Sequence, residues 1–161
     1  MKKIIQMRFT VIPLLAIIFI IAACSSRNKE EADRTIVIRE NMFATTIDDI
    51  NLNPRLYLGE TIRIEGMFRH NRWQGQDIYR VIRFGPGCCG DEDEIGFEFT
   101  MDPDFPETNR FSSEFRTPRQ GDWIEVVGEL RRYDISGFPF LYIATTELNF
   151  PEVRGAEVVT R

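Results

Sequence analysis

The sequence is poor in the residues that most often carry chemistry at enzyme and metal sites. It contains one histidine, His70, and three cysteines, and no two of the cysteines form a Cys-x-x-Cys pair. A single histidine excludes a two-histidine metal helix, and the chain shows no glycine-rich phosphate loop and no serine–histidine–acid arrangement. We therefore expect no catalytic activity and no organic cofactor.

Basic residues are not in excess either. The 25 acidic and 20 basic residues give a formal charge of −5. Residues 1–23 contain three basic residues and no acidic one, so their removal would take the charge to −5 − 3 = −8. Binding to nucleic acid depends on Lys and Arg that displace counterions, so we expect no nucleic-acid partner.

The chain also lacks an apolar run long enough to cross a bilayer. The longest, Phe9–Ala23, has 15 residues, whereas a transmembrane helix needs about 20. This run follows Lys2, Lys3 and Arg8 and ends in Ala22-Ala23 before Cys24, which resembles a bacterial lipoprotein signal. The resemblance implies cleavage before Cys24 and acylation of its sulfur, for example by palmitate.

A domain organisation follows from this signal. We expect a signal peptide over residues 1–23, a lipidated Cys24 with a polar tether to residue 34, and one folded domain over residues 35–161. The predicted location is the cell envelope, on the outer face of the cytoplasmic membrane or on the outer membrane. Ser25 follows the cysteine, where an aspartate would favour retention in the inner membrane.

Short alternating apolar segments dominate the rest of the chain and predict a mainly β-structure. A short helix is expected within 47–56, beginning near Thr46 or Asp48 and ending by Pro54. In the segment 78–84 we expect Ile78, Ile82 and Phe84 to form the buried side, a set that the charged residue Arg80 interrupts. The predicted strands are 36–38, 60–69, 78–84, 95–100, 122–130 and 140–148, with polar turns at 71–76 and 134–137 and a long loop over 102–120.

Two similar phrases favour a small barrel. Gly59–Gly66 and Gly121–Gly128 each run from a turn glycine through a strand to a second glycine seven residues later. Glycine permits the bends that a closed sheet requires, so we predict an OB-like barrel of five or six strands with a short helix and long loops. A β-sandwich would tolerate the same pattern.

The pair Cys88-Cys89 lies in a turn-rich, acidic loop. A disulfide between the two would be strained, because adjacent Cα atoms are about 3.8 Å apart and disulfides span roughly 4.4–6.8 Å. Alternatively, the two thiolates could bind a soft metal ion such as zinc together with His70, Asp91 or Asp93. Successive side chains on a strand point to opposite faces, so the loop would have to turn between the cysteines.

Aromatic residues near two predicted turns could line a ligand groove. Trp73 and Tyr79 flank one hairpin, and Tyr133, Phe138 and Phe140 flank the other. Trp73 is the most unusual, since its neighbours are polar. We predict that Trp73, Tyr79 and Phe138 contribute to a ligand or partner surface.

The chain as a whole resembles a known bacterial family over roughly residues 36–151. The features that carry the resemblance are Tyr57-x-Gly59, the Cys88-Cys89 pair, Ile95-Gly96-Phe97 and the Trp123–Gly128 strand. They are similar to the extracytoplasmic domain of an uncharacterised family assigned as permease subunits. Its cysteine pair is followed, after one residue, by Ala-Asp-Ala, whereas this chain reads Gly90-Asp91-Glu92-Asp93. The resemblance implies a role beside a membrane transporter, in metal or small-ion handling, without a mechanism.

The sequence thus favours a lipid-anchored, non-catalytic binding or accessory module that contacts an envelope partner through the Cys88-Cys89 loop and the neighbouring aromatics. The alternative is a thiol- or metal-handling protein in which the two cysteines act directly.

Overall fold

The computed structural model describes residues 35–86, 92–102, 105 and 116–160. The predicted signal with Cys24, and Cys88, Cys89 and Asp91, lie outside these residues. Within the described part of the chain, no helix has the length and apolarity needed to span a membrane. The elements are β1 (Thr35–Ile38), a 3-10 turn (Glu40–Met42), α1 (Phe43–Leu52), a second 3-10 turn (Pro54–Leu56), β2 (Thr61–Trp73), β3 (Gln76–Pro86), β4 (Glu92–Thr100), β5 (Trp123–Ile135) and β6 (Phe138–Asn149).

Five of the strands close into a barrel. The hydrogen-bonded order is β2-β3-β4-β6-β5, and β5 pairs back onto β2. All of these pairings are antiparallel except β4 with β6, which is parallel and covers only Glu98–Thr100 against Tyr142–Ala144. The sixth strand, β1, lies parallel to Thr61–Ile64, the first four residues of β2. This is an OB-like barrel, as the sequence predicted.

The two similar phrases of the sequence are antiparallel partners in this barrel. Gly66 lies opposite Ile124, and Ile62 lies opposite Gly128. A Cβ atom on Gly66 would approach the carbonyl oxygen of Ile82 to 2.4 Å, and one on Gly128 would approach that of Ala144 to 2.2 Å. The register of β5 against β6 also shifts between Val127 and Gly128. The glycines therefore allow neighbouring strands to come close where the sheet bends.

The helix closes the barrel core from one side. Phe43, Ala44, Ile47 and Ile50 of α1 are buried, in one cluster with side chains such as Ile64 and Leu130. The helix begins at Phe43, so the predicted start near Thr46 or Asp48 is wrong. Burial of Phe43 and Ala44 stabilises an earlier turn that has no side-chain cap and therefore no polar start signal. The end at Leu52, before Pro54, agrees with the prediction.

The buried side of β3 also differs from the prediction. Val81 lies in the main core and Tyr79 packs against it, whereas Ile82 forms a smaller cluster with Met67 and Trp123. The predicted set of Ile78, Ile82 and Phe84 is therefore not the core face. Apolar residues occur on both sides of β3 because both sides are covered.

The segment after β6 provides part of that cover. We call residues 154–159 the strap. The backbone N–H of Phe84 donates to the carbonyl of Glu157 (2.8 Å), and the N–H of Val159 donates to the carbonyl of Phe84 (2.7 Å). Val159 is buried in the main core. The strap therefore pairs with β3 near the end of that strand.

The side chain of Arg83 fixes the strap from inside. It is 3% exposed and donates to the carbonyl of Glu65 (2.9 Å), to Glu40 Oε2 (3.0 Å) and to the carbonyl of Ala156 (3.1 Å). The backbone N–H of Ala156 in turn donates to Glu40 Oε2 (2.8 Å). These contacts hold the pKa of Glu40 below its ordinary value, chiefly through the Ala156 N–H and then through Arg83.

Candidate ligand-binding face

In an OB barrel, ligands bind across the outer surface of the second and third barrel strands, between two hairpin loops. Here those strands are β3 and β4, and the loops are the β2–β3 and β5–β6 turns. Each turn has two residues with positive φ, Gln74-Gly75 and Ser136-Gly137, which is the conformation of a tight type I′ hairpin. Both turns lie within the ranges that the sequence predicted. We call the surface between them the outer face.

Aromatic rings form one side of the outer face. Tyr133 and Phe140, on β5 and β6, stack with their ring centroids 5.5 Å apart. The ring centroid of Phe105, from the segment that follows β4, lies 4.9 Å from that of Tyr133 and 4.6 Å from that of Tyr142. This aromatic cluster places rigid rings on the barrel surface rather than in its core.

Charged side chains form the other side. Arg80 alternates with the core residue Val81 along β3, so it points outward, and it lies opposite Arg69 on β2 and Glu98 on β4. Glu94 bridges the two arginines, with Arg69 Nε at 3.1 Å and an ion pair to Arg80. Two like charges directly opposite each other destabilise a strand pair, and the shared carboxylate offsets this.

One hydrogen bond joins the two sides. The phenol of Tyr133 donates to Glu98 Oε2 at 2.6 Å. Partial burial raises the pKa of Tyr133 above its ordinary value, and the hydrogen bond to Glu98 and the negative charge of Glu98 raise it further. Burial also lowers the pKa of Arg80, although neighbouring Glu98 opposes that effect. The Nε of Arg80 is buried and has no hydrogen-bond partner within the described part of the chain.

Two adjacent concavities lie on this face and share Glu98. The larger, of about 330 Å³, occupies the gap that opens where β4 and β6 diverge beyond their short parallel pairing. Its lining includes Arg80, Glu98, Arg132, Phe140 and, from the end of α1, Asn51. The smaller concavity is lined by Trp73, Tyr79, Glu98 and Tyr133 among others. At about 20 Å³ the smaller concavity has room for no more than about one water molecule.

The three aromatic residues predicted for a ligand surface lie in different environments. Trp73 is 46% exposed at the end of β2 and lines the smaller concavity. Phe138 is 68% exposed beside the β5–β6 turn. Tyr79 lines the smaller concavity but also stacks on core residue Phe68 with ring centroids 5.9 Å apart. Tyr79 therefore serves packing as well as the surface.

The residues predicted for a metal site are not brought together where the structure describes them. His70 lies opposite Tyr79, and its Nε2 is 2.9 Å from Asp77 Oδ1. Asp93 lies opposite Gly85, six residues further along β3 and hence roughly 20 Å away along the strand. The described residues contain no cluster of three His, Cys, Asp or Glu side chains suited to a metal ion.

Sequence reasoning missed the polar residues of the outer face. Arg80 stood out only as a charge within an apolar strand. The roles of Glu94, Glu98 and Arg132 depend on register between strands and on a contact spanning 35 residues from Tyr133 to Glu98. A charged residue in the middle of an otherwise apolar strand was the one available signal.

Comparisons with known proteins give a family and a weak structural similarity. The N-terminal domain of PriB from Thermoanaerobacter tencongensis matches with a TM-score of 0.30 and 15% identity, over 57% of this chain and 97% of its own. The curated proteins give no significant match. The family model of the DUF1980 C-terminal domain matches residues 22–149, most of the chain. The chain therefore belongs to the DUF1980 C-terminal domain family, an uncharacterised domain family.

Proposed function

We propose that this protein is a lipid-anchored, non-catalytic binding module of the cell envelope that acts beside a membrane permease. The observation that carries the proposal is the outer face, where exposed aromatic rings lie beside the two hairpin turns of the barrel. Trp73, Phe138 and Phe140 are 46%, 68% and 38% exposed. Apolar side chains exposed together on a folded domain are characteristic of interaction sites.

The anchor in this proposal is an acylated Cys24. Several acyl chains on one residue give stable membrane attachment, whereas a single chain gives reversible binding. The test is metabolic labelling with an alkyne fatty acid, followed by mass spectrometry of the amino terminus. We expect label on the wild-type chain and none on Cys24→Ala, with Cys88→Ala as a matched control that keeps the label. An intact amino terminus in cells would overturn the anchor.

Contact through the outer face can be tested by photo-crosslinking in living cells. A photoreactive amino acid replaces Phe138, and a matched control replaces Glu147, which is exposed on the same strand away from both concavities. We expect an adduct with a multispanning membrane protein from position 138 and none from position 147. Identical adducts from both positions, or none from position 138, would contradict a specific docking role.

A second candidate is a thiol- or metal-handling protein that uses Cys88 and Cys89. One observation favours it: β3 and β4 pair as far as Pro86 and Glu92, so the chain on both sides of the cysteines is held in one place, next to exposed Asp93. Thiol titration with and without reductant, combined with metal analysis, tests this candidate. A stoichiometric metal ion that is lost in Cys88→Ser and in Cys89→Ser supports it. Two free thiols without metal would reject it.

A further inference from the structure

We propose that the domain rests on the lipid bilayer through an exposed apolar surface formed by Leu52, Leu56 and Leu58, close to the point where the anchoring chain enters the fold. We call this surface the leucine patch. The inference rests on the proposed function, in which Cys24 is acylated, and it names the side of the domain that contacts the membrane. Four properties support it: exposure, a fixed turn, the place of the patch in the fold and the local charge.

The leucine patch is concentrated in a short stretch of the chain. Leu52, the last residue of α1, is 80% exposed, and Leu56 and Leu58 are 73% and 37% exposed. They are the exposed leucines of the described part of the chain, and they fall within seven consecutive residues. A single exposed apolar side chain is ordinary in a folded protein, whereas a group of them is characteristic of a contact site.

The turn that carries these leucines is held in one conformation. The backbone N–H groups of Tyr57 and Leu58 both donate to the carbonyl of Pro54 at 3.0 Å. The phenol of Tyr57 donates to Asp49 of α1, and Tyr57 packs against the main core. The side chain of Asn53 donates to the same carboxylate at 2.8 Å. The fixed backbone and the core contact of Tyr57 therefore keep the leucines directed outward.

The leucine patch lies near the point where the anchoring chain meets the barrel. The strand β1 begins at Thr35 and pairs in parallel with β2, so that Thr35 lies opposite Thr61. Leu58 precedes Thr61 by three residues. Three residues span at most about 11 Å and neighbouring strands lie about 5 Å apart, so the Cα atom of Leu58 is within about 16 Å of that of Thr35.

The chain before Thr35 is too short to hold the domain far from the bilayer. Cys24 and Thr35 are 35 − 24 = 11 residues apart, and even a fully extended chain of this length covers at most about 40 Å. A short tether keeps the leucine patch at a high effective concentration beside the membrane. Three leucines that would bind a bilayer only marginally on their own are then sufficient to orient the anchored domain.

The local charge favours an apolar contact over attraction to anionic headgroups. Residues 43–60 contain one basic residue, Arg55, and three acidic residues. The hydrogen bonds from Tyr57 and then from Asn53 hold the pKa of Asp49 below its ordinary value, so this carboxylate stays charged. Electrostatic attachment to lipid requires clustered Lys and Arg. The leucine patch therefore suits the boundary between headgroups and acyl chains and needs no anionic lipid.

The test uses the full-length protein, processed and acylated in cells and reconstituted into phosphatidylcholine vesicles. Mass spectrometry first establishes whether Cys24 carries acyl chains. An environment-sensitive fluorescent amino acid replaces Leu56 in one preparation and Val153 in the other, and the vesicles contain lipids with a quencher near the start of the acyl chain. We expect emission from position 56 to shift to the blue and to be quenched several-fold more strongly than emission from position 153.

Val153 is the matched control because it is as exposed as the leucines but lies elsewhere on the domain. Its side chain is 81% exposed. The guanidinium of the adjacent residue, Arg154, lies 5.5 Å from the ring centroid of Trp123. Trp123 pairs with Met67, which follows Thr61 by six residues and is therefore roughly 20 Å further along β2.

A second pair of variants tests whether the contact is apolar. With the fluorophore at position 56, Leu52→Gln should lower the ratio of membrane-contacting to free orientations by about tenfold, the scale of one leucine returned to water. Val153→Gln should leave this ratio unchanged. Glutamine is a good helix former and Leu52 lies outside the core, so the fold is kept, as far-ultraviolet circular dichroism verifies. Raised salt should not weaken the quenching, because no charge pair carries the contact.

Four results would overturn the inference. These are no quenching at position 56, equal quenching at positions 56 and 153, an unchanged ratio in Leu52→Gln, and quenching that requires anionic lipid and is lost in salt. A photoreactive amino acid at position 56 that captures a protein in cells, without quenching in vesicles, would also reject the lipid contact.

The same measurements separate this inference from the proposed function. Acyl chains on Cys24 combined with no lipid contact at position 56 would reject the leucine patch alone. Absence of acyl chains would reject the anchor, and the inference would fail with it.

Discussion

Replacement of Gly128 by alanine should be strongly destabilising, for a reason that the backbone alone sets. The new Cβ would lie 2.2 Å from the carbonyl oxygen of Ala144 and 2.7 Å from the Cα of Thr145. The first distance is more than about 1 Å shorter than an ordinary contact between nonbonded heavy atoms. Because the opposing atoms are strand backbone rather than a movable side chain, β5 and β6 must separate at the bulge.

The expected cost follows from this geometry. Overpacking in a well-packed core costs roughly 1–3 kcal/mol and occasionally more. We expect Gly128→Ala to lower the free energy of unfolding by about 3 kcal/mol. Urea unfolding followed by tryptophan fluorescence measures it, because Trp123 is buried and Trp73 is half exposed in the folded state. For a domain of this size, the same loss should lower the melting temperature by roughly 10 °C.

Gly137→Ala is the matched control. Gly137 has φ +85° at a hairpin turn, and no atom lies within 4 Å of a Cβ built on it. Its substitution should cost only the strain of a left-handed alanine, about 1–2 kcal/mol. If Gly128→Ala proves no more destabilising than Gly137→Ala, the close approach of β5 and β6 is not what requires glycine, and the reasoning is refuted.

Three further predictions concern the core, the strap and the outer face. Leu130→Ala, at a fully buried position, should cost about 2–5 kcal/mol in urea unfolding, while Leu52→Ala, at an 80% exposed position, should cost far less. The pKa of Glu40 is lowered in the folded state, so Glu40 stabilises the fold above its ordinary pKa of about 4.5, and this contribution is lost as pH falls through the folded pKa. Glu40→Gln should therefore lose less stability on acidification than the wild type. An unchanged dependence of stability on pH would contradict the assignment. The folded-state pKa of Tyr133 is raised, so its contribution is complete below about pH 10 and declines as pH rises towards the folded pKa. Tyr133→Phe should remove this alkaline decline and cost about 1–2 kcal/mol at neutral pH, measured by unfolding at a series of pH values.

The strand pattern was readable from the sequence because most strands bury one face. The core residues Ile62, Ile64 and Phe68 on β2, and Ile124, Val126 and Leu130 on β5, alternate with less buried neighbours, and they lie within strands that this alternation predicted. The far ends of the strands were not readable. Asn71 and Arg72 continue the ladder of β2 while remaining exposed, and exposed residues carry no alternation.

The side of β3 that faces the core could not be read because consecutive residues Val81, Ile82 and Arg83 are all buried. The smaller cluster of Met67, Ile82 and Trp123 covers the outer side of that strand, and a contact between residues so far apart in sequence leaves no local pattern.

The outer face was predictable only in part. Trp73 could be singled out because an indole in a polar turn is unusual. The larger concavity depends on the divergence of β4 from β6 and on the register that sets Arg80 opposite Glu98. Register follows from pairing across the whole barrel, which individual residues do not encode.

The strap has a practical consequence for anyone handling this protein. It holds β3 at Phe84, so a fusion partner or a pulling force attached beyond Val159 acts on that end of β3 and not on the hairpin turns at Gly75 and Gly137. A truncation at Asn149, where the family match stops, would leave the buried guanidinium of Arg83 without the carbonyl of Ala156. Shortened versions designed on family boundaries would thus leave both Phe84 and Arg83 without their contacts to the strap.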